Sequence, residues 1–218
     1  MNLPVPFYAN FFTLGALIPT CFFLFCAVYF LTIKKKSRAT YCYGMGTLFV
    51  CGFNFAYFLA SGVYHPVAAL HRWLTVGTIL LSELYFIKFI YFIDREEASR
   101  AVRTLFAVLF VIAIAVPVVF IAFTFDAPRV FRFDGHYYDL DADTISRLIG
   151  YFIQVYMVIF FITTAVKINT AEKGRRLTIF VLGAAFVLAS LVPSVINVMS
   201  RDGRIDREVR RGRVRKGV

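Results

Sequence analysis

Six apolar stretches separated by short charged loops decide what this chain can fold into: 11–33, 39–61, 74–93, 102–125, 148–166 and 177–199. Each is long enough to cross the ~30 Å hydrocarbon layer as a helix rising about 1.5 Å per residue. With 60% hydrophobic residues over 218 positions, little remains from which a soluble catalytic domain could be made. The expected fold is therefore an all-α membrane bundle of six transmembrane helices. Residues 1–200 form the bundle, and residues 201–218 form a basic tail. The first ten residues carry no positive charge, and no small-residue cleavage site follows the first span. The first span is thus read as a retained helix, not as a secretory leader.

Orientation follows from Lys and Arg in the short loops. Lys34, Lys35, Lys36, Arg38, Arg95, Arg100, Arg103, Lys167, Lys173, Arg175 and Arg176 make eleven on one side. Arg72, Arg129, Arg132 and Arg147 make four on the other. The first set is expected in the cytoplasm, which puts the N-terminus outside a cytoplasmic (inner) membrane. The tail breaks the pattern: residues 201–218 hold eight Lys and Arg against three acids, on what should be the outer side. Two readings are open, a tail that violates the rule or a chain altered before a seventh span. Nucleic acid is not an expected partner of a tail on that side.

The longest connection, between the fourth and fifth spans, has two β-prone runs flanking Asp134-Gly135. That dipeptide suits a type I′ turn, so a small extracytoplasmic β-hairpin is expected there. Asp139, Asp141 and Asp143 alternate at its end, but Thr144 and Gly150 stand where a calcium loop needs glycine and an acid. A solvated acidic edge is the default reading. Three scattered histidines and four cysteines without Cys-x-x-Cys spacing give no metal or cofactor motif. His65, His71 and His136 read as interfacial or hydrogen-bonded groups. Cys21, Cys26, Cys42 and Cys51 read as small apolar residues.

Glu83 lies near the centre of the third span, where a carboxylate costs about 2.5–3.5 kcal/mol even on the lenient insertion scale. It should therefore face the bundle interior and find a polar partner from the second, fifth or sixth span. Lys88, five residues on, can snorkel to the interface, and at that spacing the two make a poor ion pair. Counting depth from the span ends puts Asn54, Gln154, Ser190, Ser194 and Asn197 in the outer half of the membrane. With Glu83 at the floor and Tyr57, Tyr85 or Tyr151 as walls, they would line an outward-facing ligand cavity under the hairpin. The bland alternative is that these groups only hydrogen-bond helices together. Pro19, Pro117 and Pro193 would kink or loosen their helices.

Four segments, Asn10-Phe-Phe-Thr-Leu-Gly-Ala-Leu-Ile-Pro19, His71-Arg-Trp73, the hairpin, and Leu191-Val-Pro-Ser-Val-Ile-Asn197, resemble the N-terminal sensor modules of bacterial signalling proteins. These are seven-helix input regions that precede histidine kinase, nucleotide cyclase, diguanylate cyclase or phosphatase domains. The resemblance covers residues 1–208. It implies an outside N-terminus, a small-molecule ligand, a cytosolic effector and a homodimer as a possible assembly. The chain departs from the pattern in lacking a seventh helix and an effector. No enzyme motif stands at membrane depth: there are no paired acids, no His-x-x-x-His and no Gly-x-Ser-x-Gly. The competing reading is a small transporter or channel using Glu83 for coupling, although no inverted repeat is visible.

Overall fold

Three of the long helices begin where a polar side chain meets backbone N–H groups that a helix leaves unpaired. In the computed structural model, which describes residues 7–132, 137–171, 174 and 176–181, Asn10 opens α1 (Phe11–Thr32). Its Oδ1 accepts the Thr13 N–H at 2.9 Å, while its Nδ2 donates to the Ser61 carbonyl at 2.8 Å. One residue thereby starts the first helix and ties it to the end of the second. Ser37 caps α2 (Arg38–Gly62) by accepting the Thr40 N–H at 3.1 Å. The link from α1 to α2 turns through Lys35, which holds a positive φ of 56°.

A 3₁₀ turn at Pro66–Leu70, capped by His65 through its Nδ1, runs straight into α3 (His71–Phe92). Ser99 caps α4 (Arg100–Thr124). Strands β1 (Arg129–Arg132) and β2 (Tyr137–Leu140) then pair antiparallel, from Arg129 opposite Leu140 to Arg132 opposite Tyr137. Helix α5 covers Asp143–Thr170. The hairpin stands where the sequence puts it, although the Asp134-Gly135 turn lies outside the described residues.

Among the described residues five helices are long and apolar enough to cross a membrane, and the protein is a multi-pass membrane helical protein on that ground. Large apolar side chains such as Phe25 and Phe123, 70% and 71% exposed, form the surface that lipid would cover. Pro19 and Pro117 sit inside continuous helices. Of the sixth expected span only 177–181 is described, and it is helical; Pro193 lies outside the described residues.

The chain divides into two compact units, Met1–Ala165 and Val166–Val218. Within the first, α2 packs on both α1 and α3, and α3 on α4. Small residues make α2 the inner slat. A Cβ at Gly44 would sit 2.9 Å from Leu31, at Gly46 3.2 Å from the Phe86 ring, and at Gly52 3.0 Å from Thr78. Backbones in lipid gain van der Waals contact by such close approach, because no hydrophobic effect drives helices together there. Cys42 and Cys51 are buried among these small residues, and Cys51 Sγ lies 3.4 Å from the Thr20 carbonyl. In the second unit, Arg176 folds back so that its Nε donates to the Ala171 carbonyl at 2.9 Å.

Candidate functional site

The hairpin is fastened to the start of α3 by a charge pair. Arg72 Nε donates to Asp139 Oδ1 at 2.9 Å, and Arg72 Nη2 bonds Asp139 Oδ2, a forked geometry that matches guanidinium to carboxylate. Asp139 Oδ1 also accepts the Leu140 N–H at 2.9 Å. The Asp139 side chain is 9% exposed and that of Arg72 26%. The solvated acidic edge is therefore corrected at Asp139. Alternation along β2 turns Tyr137 and Asp139 to one face of the strand, and Arg72 meets that face. Asp141 is exposed, with Arg132 3.8 Å away.

Around this latch lies an aromatic ring set. His71, only 4% exposed, holds the Ala68 carbonyl with Nδ1 at 2.9 Å, and its Nε2 has no hydrogen-bond partner among the described residues. With Nδ1 as the donor, Nε2 is a buried lone pair with no hydrogen-bond donor on it among the described residues. The Tyr57 and Tyr137 rings stand 5.6 and 5.2 Å from the imidazole. Burial pushes the Tyr137 phenol above its ordinary value, so it stays protonated across the physiological range. On the other face of the strand, Tyr138 meets Phe131 at 5.2 Å and Tyr64 at 6.0 Å. Beneath, Leu140 joins Ala69, Val76, Phe120 and Ile149 in one apolar core. Trp73 packs on that core, donates to Thr124 Oγ1 at 2.9 Å and stacks on Phe125.

Deeper in α3, Glu83 is 3% exposed, as its position in the third span requires, and its Oε2 has no hydrogen-bond partner among the described residues. The Tyr156 hydroxyl of α5 donates to the Leu109 carbonyl of α4. Lys88 makes no ion pair with Glu83; its ammonium sits over the rings of Tyr85, Phe106 and Phe110 at 5.0, 5.6 and 5.9 Å.

Of the depth-matched set, Asn54, Gln154, Tyr151 and Tyr85 lie within the described residues. Asn54 is half-buried and donates to its own helix at the Val50 carbonyl, 2.9 Å away. Gln154 and Tyr151 are exposed on α5. Tyr85 stacks on Phe49 and lies beside Lys88 instead of in a pocket with Glu83. Ser190, Ser194, Asn197 and His136 lie outside the described residues. Among the described residues no three His, Cys, Asp or Glu side chains converge as metal ligands.

The latch, the His71 ring set and the enclosed Glu83 thus define a membrane bundle with a clamped cap at one end and a lone buried carboxyl on the clamped helix. No protein family, curated protein or solved structure matches this chain.

Proposed function

We propose that the protein is a membrane-embedded sensory input module that binds an extracytoplasmic or membrane ligand at its hairpin end. The observation that carries this reading is the attachment of the hairpin to α3 through Arg72–Asp139. Of the five candidate spans α3 is the most enclosed, with 61% of its most apolar window buried against 11–33% in the others. A ligand that moves the cap therefore moves the most enclosed of these helices, and a shift needs only different affinity for two arrangements. The basic bias of eleven to four supports a hairpin outside and an N-terminus outside the inner membrane. The resemblance to bacterial sensor modules supports an effector, covalent or separate, on the cytosolic face. Among the described residues the hairpin end offers groups suited to recognition: aromatic faces, a buried histidine and a neutralised charge pair.

A thermal-shift screen of small molecules on the detergent-solubilised chain tests this. Compounds that raise the midpoint of the wild type should lose that effect in Tyr137→Leu or His71→Phe. Shifts retained in both variants would move the ligand site away from the hairpin. The enclosed Glu83 favours a second reading, a transporter or channel in which that carboxyl carries a proton or cation.

A further inference from the structure

At the end of the bundle away from the hairpin, α2, α3 and α4 part to leave an open groove of about 770 Å³. Lys36, Arg38, Lys88 and Arg103 line it, and among the described residues no carboxylate does. Its walls are Tyr41, Tyr85, Phe92, Phe106 and Phe110. Four cations and an apolar floor in one cleft between spanning helices match a single kind of occupant, an amphiphile with an anionic head. We propose that the groove holds an anionic glycerophospholipid, its phosphate among Lys88, Arg38 and Arg103 and an acyl chain along Phe106 and Phe110.

Depth supports the assignment. Lys88 stands four residues before the end of α3, about 6 Å below it at 1.5 Å per residue, and its stem can raise the ammonium to the headgroup level. Its charge is met only by three aromatic faces among the described residues, so a phosphate would complete it. The Arg38 guanidinium lies 5.8 Å from the Phe92 ring centroid, and the nearby Glu96 carboxylate takes the Arg38 backbone N–H at 3.2 Å. Arg103 spends its Nε on the Ala98 carbonyl, which leaves its terminal nitrogens for an anion.

Native mass spectrometry of the full chain, titrated separately with phosphatidylglycerol and phosphatidylcholine, tests the proposal. One phosphatidylglycerol should stay bound at collision energies that strip phosphatidylcholine. Lys88→Met should lower that retention about fivefold, while Lys88→Arg preserves it. Lys34→Gln, which removes a cation of the same loop outside the groove, should leave retention unchanged. Equal retention of both lipids by the wild type would overturn the proposal whether or not a variant folds. So would an equal loss in the Lys88 and Lys34 variants, which would show mere surface attraction. Displacement of the lipid by millimolar inorganic phosphate would assign the groove to a free anion and overturn it as well.

Discussion

Asp139→Asn removes the charge from the hairpin latch while keeping the side chain's size. Breaking a buried ion pair from one side costs about 3–5 kcal/mol, because the remaining charge is left without compensation. Here the Arg72 side chain is 26% exposed, so water recovers part of that loss, and asparagine still offers one acceptor to the fork. The expected penalty is about 2 kcal/mol, a factor of about 30 in the population of the opened hairpin. The lost charge pair lies at the start of α3, ten residues from its centre, so the opening concerns the strands and the first turns of that helix. Hydrogen exchange should therefore show ladder amides of β1 and β2 losing about thirtyfold in protection while amides at the centre of α3 keep theirs. Trp73, the sole tryptophan, reports the same event: it packs on the core that Leu140 helps to close, so its emission should shift red as the cap lifts. Pairing Asp139→Asn with Arg72→Met should give a double mutant less damaged than the two singles summed, by about 1–2 kcal/mol. Unchanged ladder protection in Asp139→Asn, or strict additivity in the cycle, would refute the latch.

Other perturbations have equally definite outcomes. Gly46→Val drives two methyls toward the Phe86 ring, which already lies 3.2 Å from a built Cβ, and should lower stability in denaturant titration by about 1–3 kcal/mol. Lys35 at φ 56° favours residues that tolerate a left-handed backbone, so Lys35→Val should destabilise by about 1–2 kcal/mol in the same assay, whereas Lys35→Gly stays near neutral. Glu83→Leu replaces a buried carboxyl that lacks a partner at Oε2, and should raise the thermal midpoint of the solubilised protein, in keeping with about 2–3 kcal/mol removed from its insertion cost. Trp73→Phe loses the indole bond to Thr124 and should cost about 1 kcal/mol.

The spans were legible because hydrocarbon thickness imposes a length on any apolar helix, and all five described spans overlap their expected ranges. Their ends were less so. Helix α3 starts at His71, three residues before the expected 74, because the Pro66–Leu70 turn feeds it directly. Helix α5 extends past both edges of its apolar stretch, because polar residues continue a helix once it has begun. Glu83 stands inside the bundle, since the energy of a carboxylate in lipid allows little else, but the polar partner expected for it is not found at Oε2 among the described residues. Asn54 and Gln154 show the limit of the depth argument. Depth gives a height in the membrane but no direction around the helix axis, and helices apolar all round carry no stripe from which that direction can be read. Asp139 looked like one of three solvated acids because its partner, Arg72, is 67 residues earlier. The glycines of α2 did mark its packing face, a signal that small-residue spacing in a span could have supplied.

Flux through the protein tests the central claim, that the bundle senses and does not conduct. The wild-type chain, reconstituted in liposomes loaded with a pH-sensitive dye and bathed in sodium or potassium gradients, should pass no more protons or cations than empty vesicles. Glu83→Gln should leave that baseline where it is. Flux above the empty-vesicle rate that disappears in a folded Glu83→Gln protein would contradict the sensor reading and establish the carboxyl as part of a conduction path.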